Sequence, residues 1–195
     1  VYKRQKNRSP IVSTTDFWIR IELMILYYLL FAWGLIGLIA FFYLLKEPAP
    51  YGKHIKEDSK YFLGSKTGWI LMESPAFYLM LLFFLIFGDY KNYVQIVLTF
   101  LFCLHYFNRS FIWPIRAQTN LKKMPLKIAI SAFGFNVVNV FFQGTWIFFL
   151  IDYEESWLLS IWFILGLAVF LSGMVINIIS DEIMINLKKT THGKY

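Results

Sequence analysis

The chain has 195 residues, of which 58% are hydrophobic, and it carries a formal charge of +7. A chain this apolar cannot keep its surface in water as a soluble domain of this size. Its lysines and arginines sit in short clusters between apolar runs, a membrane orientation signal rather than a nucleic-acid footprint.

The first residues, Val1-Tyr-Lys-Arg-Gln5, have no apolar pattern, and residues 1–16 read as an N-terminal segment of non-native character. No order of basic, apolar and cleavage segments marks a signal peptide. From residue 17 onward the chain reads as one transmembrane domain. Leu23 to Leu45 carries no charge and is long enough to cross about 30 Å of hydrocarbon. Lys46-Glu-Pro-Ala-Pro50 ends it, since proline removes a donor and restricts the residue before it. A polar loop with Tyr51-Gly-Lys-His54 runs to Lys66. The second span covers Trp69 to Phe87, and Gly88-Asp-Tyr-Lys-Asn92 is a turn. Tyr93 to Trp113 is the third span, Leu126 to Ile151 the fourth and Trp157 to Ser180 the fifth. Runs of this length with little alternation predict helices rather than barrel strands. The predicted fold is an all-α, polytopic transmembrane bundle with five helices present.

Five spans put the loops alternately on two sides. Lys46, Lys53, Lys56, Lys60 and Lys66, then Arg116, Lys122 and Lys123, then Lys188, Lys189 and Lys194 fall on one side; the opposite turns carry only Lys91. The bias assigns the first side to the cytoplasm. The basic N-terminal residues Lys3, Arg4, Lys6 and Arg8 would lie on the other side, against the rule.

Polar groups within the spans are few, so each is informative. Glu73 stands at the mouth of the second apolar run, with no basic residue between Gly68 and Asp89. Such a site disfavours the ionised carboxylate, and a neutral acid can donate a hydrogen bond to a carbonyl. Tyr106, in His105-Tyr-Phe-Asn-Arg109, is its expected partner. The plainer reading of Glu73 is a helix-end cap in the headgroup region. Tyr51, His54, Glu73, Tyr106, Arg109, Asn177 and Asp181 all fall near helix ends on the cytoplasmic side, and helices turn such groups inward rather than toward lipid. Asn136 and Asn139 read as interhelical hydrogen-bonding groups. Cys103 stands alone in an apolar run, so there is no disulfide framework. No Gly-x-Gly-x-x-Gly turn, phosphate loop or zinc spacing occurs, so no metal is expected.

Four motifs occur in one order: Tyr51-Gly-Lys-His54, Trp69-Ile-Leu-Met-Glu73-Ser-Pro75, His105-Tyr-Phe-Asn-Arg109 and Asn177-Ile-Ile-Ser-Asp181, followed by a basic tail ending in Gly193-Lys-Tyr195. In this order and placement the chain resembles the membrane steroid 5α-reductases, or 3-oxo-5α-steroid 4-dehydrogenases, from about Tyr51 to Tyr195. The resemblance implies an oxidoreductase that uses NADPH to reduce the Δ4 double bond of a 3-oxo-steroid, or a similar lipid enone, in a membrane. It implies Glu73 and Tyr106 as the catalytic pair at the substrate oxygen. Tyr51, His54, Arg109, Asn177, Asp181, Lys188 and Tyr195 are the implied cofactor-binding residues, and Lys122 and Lys123 are further candidates for its phosphates. Trp69 and Met72 would meet the substrate. The implied membrane is the endoplasmic reticulum in a eukaryote or the inner membrane in a bacterium, with the cofactor site facing the cytoplasm; the partners are the lipid enone and membrane lipids, with no nucleic acid.

Two departures stand out. Met72 occupies a position where many family members have glutamine. The family also continues past the equivalent of Tyr195 into further helices, so the chain looks like the N-terminal five of seven helices and is expected to be inactive by itself. Rival readings are an enoyl-thioester or polyprenol-type reductase of the same superfamily, and a non-catalytic membrane scaffold or inert fragment.

Overall fold

A computed structural model describes residues 14–50, 54–55, 60–117 and 122–190, with only the backbone at 14–20, 22 and 188–190. Tyr51 and Tyr195 therefore lie outside the described residues, as does the side chain of Lys188. The expected all-α, polytopic class holds: among the described residues, five helices are long and apolar enough to cross a membrane.

The chain divides into two units, Val1–Ala49 and Pro50–Tyr195. The first contains α1, Thr14–Lys46, whose described side chains are mostly exposed apolar groups such as Phe31, Ile39 and Leu45. A helix apolar all round suits a lipid environment.

In the second unit, α2 (Ser65–Phe87) packs most extensively on α5 (Leu126–Thr145) and next on α3 (Tyr93–Phe107). Ala76, Met80, Val140 and Ile147 form one buried cluster, and Met72, Met124 and Ala129 another. Small and flexible side chains fill these seams, as expected where helices meet without a water-driven hydrophobic effect. Gly144 shows why: a Cβ there would come within 2.5 Å of the Phe83 ring. Pro75 lies inside α2 without ending it, although it leaves the Leu71 carbonyl without its helical donor.

Two departures from regular helix matter for the site. After α3 the backbone widens through Asn108–Ile112 before the last turn, α4 (Trp113–Arg116); Trp113 N–H bonds the Asn108 carbonyl, five residues back. Pro114 accounts for this, because its ring would press on the Ser110 carbonyl in a regular helix and it has no N–H to offer. A second wide turn, Trp146–Leu150, closes α5.

The fifth helix differs from expectation at both ends. Glu155–Leu159 forms a separate tight turn, and α6 runs Ile161–Thr190, ten residues past the expected end at Ser180. Asp181 and Glu182 end the apolar composition but not the hydrogen-bonded ladder, and the ladder defines the helix. Two short strands were also not expected. β1 (Phe62–Gly64) pairs antiparallel with β2 (Lys123–Pro125), Phe62 opposite Pro125. Ser65 N–H donates to the Lys122 carbonyl at 2.8 Å and Leu126 N–H to the Tyr61 carbonyl at 3.0 Å. The ladder holds two of the lysine-bearing connections on one side of the second unit. At the other end of α3, Asn92 caps the helix through Gln95 N–H, and the buried Gln95 amide accepts from Asp89 N–H at 2.9 Å.

Candidate active site

Glu73 lies eight residues inside α2, about 12 Å from its start at 1.5 Å per residue. Dipole and capping effects fade within the first turn, so the cap reading fails. Its carboxylate is largely enclosed, with 15% side-chain exposure. The polar groups that reach it come from two other segments. Asn136 Nδ2 on α5 lies 3.4 Å from Oε2, and Arg109 Nη2, in the widened turn, lies 3.9 Å from Oε1.

Arg109 is the hub of the cluster. Its Nη1 bonds Asp181 Oδ2 of α6 at 3.1 Å, so its tighter pairing is with Asp181 and not with Glu73. The guanidinium carbon lies 5.2 Å from the Trp69 ring centre and 5.3 Å from that of Trp113. A planar, weakly hydrated cation suits such a lining of rings, and a lysine would not reproduce it. The widened backbone carries Arg109 at the meeting of α2, α3 and α6; such turns recur at functional sites.

Tyr106, on the last regular turn of α3, packs against the cluster of Ala76 and Val140 and stacks on Phe102. Its hydroxyl accepts from Asn139 Nδ2 at 3.3 Å. Glu73 and Tyr106 are not hydrogen-bonded to one another. Each is hydrogen-bonded instead to an asparagine of α5, Glu73 to Asn136 and Tyr106 to Asn139, contacts that the sequence reading missed by treating the two asparagines as general interhelical glue. Tyr106 and His105 border an open, mainly apolar groove of ≈ 360 Å³ between α3 and α6, which Phe170, Gly173 and Met174 also line.

The other expected site residues divide as follows. Trp69 lies against Arg109 and Trp113, its ring centre 4.3 Å from that of Trp113. Met72 is 8% exposed, its side chain in the cluster with Met124 and Ala129, and its carbonyl accepts from Asn136 at 2.7 Å. It was expected to meet substrate; the structure places it in helix packing. His54 is exposed. Asn177 and Asp181 stand one turn apart on α6, on one face. Asn177 Oδ1 is buried and has no donor among the described residues. A buried acceptor left unmet calls for a donor from a bound molecule or water, and the carboxamide of a nicotinamide supplies one. Asn177 thus fits the implied cofactor. Arg109 does not fit a phosphate, since its fork faces two carboxylates and its faces meet two indoles. Among the described residues no group of three His, Cys, Asp or Glu side chains is placed to hold a metal ion.

Residues 122–195 match the protein family described as 3-oxo-5-alpha-steroid 4-dehydrogenase. This stretch holds Asn136, Asn139, Asn177 and Asp181, and leaves Glu73 and Tyr106 outside it. Steroid 5-alpha-reductase DET2 of Solanum lycopersicum is 34% identical over 148 residues, 74% of this chain and 58% of the relative. DET2 of Arabidopsis thaliana is 35% identical over 75% of this chain and 58% of its own length. The bovine 3-oxo-5-alpha-steroid 4-dehydrogenase 1 is 29% identical over 82% of this chain and 63% of its own length. The chain therefore spans less than two thirds of the length of these relatives.

Proposed function

From the kinship of this chain with the 3-oxo-5-alpha-steroid 4-dehydrogenases, we propose that it contributes the substrate-activating half of a membrane enone reductase. The reaction class is reduction of a carbon–carbon double bond conjugated to a ketone, with a 3-oxo-Δ4-steroid or a similar flat apolar lipid as substrate. The observation that carries the reading is the placement of Glu73 and Tyr106, each hydrogen-bonded to the same face of α5.

When a hydride adds to the β-carbon of an enone, negative charge moves to the oxygen. NADPH, when bound, supplies that hydride. The protein's task is to hold donors where the charge appears, in a place shielded from water. Glu73 as a neutral acid and Tyr106 as a phenol are two such donors. The apolar groove beside Tyr106 would lay a flat hydrocarbon skeleton against its hydroxyl-bearing side. Asn177 and Asp181 would hold the cofactor, with Asp181 kept in place by Arg109. The site lies at the end of the second unit that carries the β1–β2 ladder and its lysines, assigned to the cytoplasm, where NADPH is available.

The test is turnover of 3-oxo-Δ4-steroids by the natural gene product that contains these residues, expressed in membranes. Glu73→Gln and Tyr106→Phe should each lower the rate about 10²-fold, the scale of one lost oxyanion donor, with NADPH affinity nearly unchanged. A variant with full turnover removes that residue from the role. Cysteines at Lys60 and Lys91 check the orientation: a membrane-impermeant reagent should reach them from opposite sides, Lys60→Cys from the cytoplasm.

A further inference from the structure

Resting on the reading that Glu73 and Tyr106 act at the substrate oxygen, we propose that Asn136 and Asn139 are positioning residues. One face of α5 aims the two donors, which belong to different helices.

Residues three apart on a helix are neighbours on one face, so two amides project from α5 side by side. Asn136 is 4% exposed, in a segment that otherwise buries Ala129, Val140 and Gly144. Its amide orientation is fixed by chemistry. The Met72 carbonyl, 2.7 Å away, can only accept, so the group facing it is the NH2. That nitrogen has a second hydrogen, and Glu73 Oε2 lies 3.4 Å from it. Oε2 is thereby held as an acceptor. Oε1 faces Arg109 at 3.9 Å, too long for a hydrogen bond, and is the oxygen without a hydrogen-bond partner among the described residues, left for the substrate.

Asn139 does the matching thing for the phenol. Its Nδ2 donates to the Tyr106 hydroxyl at 3.3 Å. The bond uses a lone pair of the phenol oxygen and leaves its O–H free to point elsewhere. A phenol that accepts one hydrogen bond is also a stronger donor in the next, since chains of hydrogen bonds polarise one another. Asn136 also ties α5 to the α2 backbone through the Met72 carbonyl. Here both amides reach side chains with an acidic proton, and in each case they donate.

The experiment is a double-mutant cycle in the membrane-expressed gene product. Asn139→Leu should lower kcat about 10-fold, the rate equivalent of one oriented hydrogen bond, with KM for the enone and affinity for NADPH little changed. Combined with Tyr106→Phe it should add no further loss, because it acts through that hydroxyl. Asn139→Asp, which can only accept when ionised, should cost more than Asn139→Leu by drawing the phenolic proton to itself. The same cycle pairs Asn136→Leu with Glu73→Gln. Should either leucine variant fail to accumulate, the smaller alanine variant takes its place in the cycle. Losses that multiply across a pair, or an Asn139→Leu enzyme with full kcat, would overturn the proposal while leaving the Glu73/Tyr106 reading intact. Full turnover in Tyr106→Phe itself would overturn both. An independent check needs no activity: the 13Cζ resonance of Tyr106 in the membrane-expressed gene product, purified in detergent, should move on Asn139→Leu, and an unmoved resonance refutes the contact.

Discussion

The α2–α5 seam and α6 are both membrane helices by length and composition, yet they are held in different ways. The seam is a packed solid: Ala76, Met80, Ala129 and Val140 are fully buried, and an asparagine amide stitches one helix to the backbone of the other. In α6 the buried described side chain is Ile185, near one end, and the ties at that end are ionic: Arg109 to Asp181 and Arg116 to Glu182. Most of its apolar length faces outward. Shape fixes the seam, whereas charge docks α6. The difference suits the proposed division of labour, since oxyanion donors need rigid support and a cofactor-binding element must accommodate a large ligand.

The comparison breaks most directly at Arg109. Replacing it with methionine leaves Asp181, a largely enclosed carboxylate, without its cation, which should cost about 3 kcal/mol or more. The loss should appear as release of α6. A short flexible thiol cross-linker should join His105→Cys to Phe170→Cys, whose native rings stand 6.4 Å apart, readily with Arg109 present and poorly without it. Equal cross-linking in both would show that packing, not charge, docks α6.

A pair of glycine substitutions sharpens the contrast. Gly144→Ala should destabilise the seam by about 1–3 kcal/mol, because the new methyl meets the Phe83 ring. Gly173→Ala, in α6, meets nothing within 4 Å and should be neutral or stabilising by up to about 1 kcal/mol through helix propensity. Unfolding by SDS titration measures both, and equal effects would erase the distinction. The smallest effect belongs to Arg116 and Glu182, whose side chains are 50% and 40% exposed. Glu182→Gln should change stability by roughly 0.5 kcal/mol or less, and less still in high salt. A larger, salt-insensitive loss would mean that this pair is shielded in the membrane setting.

The spans were legible because apolar run length is a property of the chain alone, independent of how helices pack. The meeting of Glu73, Arg109 and Asp181 was legible too, because charged groups near apolar runs have few places to go other than one another. What escaped detection depended on pairing. Glu73 was matched with Tyr106, and each bonds an asparagine of α5 that the sequence did not single out, because an asparagine in an apolar run carries no sign of what its amide will meet. Arg109 looked like a phosphate ligand because its charge is visible in sequence and its indole and carboxylate neighbours are not. The widened turn had a sequence cause in Pro114, but proline more often ends or kinks a helix. The end of α6 was misplaced because composition marks the hydrocarbon boundary, while the helix continues into polar surroundings.

The β1–β2 ladder sets an order on biogenesis. Its first strand is synthesised before α2 and its second only after α3 and α4, so no bond of the ladder can form until residues 123–125 have left the ribosome. By then three membrane spans have been synthesised. Until that moment the α2–α3 hairpin is free to shift in depth; afterwards Ser65 and Leu126, the first residues of α2 and α5, are pinned at one level by backbone bonds. The start points of the two helices that form the seam are thus levelled before the side chains of Glu73 and Asn136 must find each other.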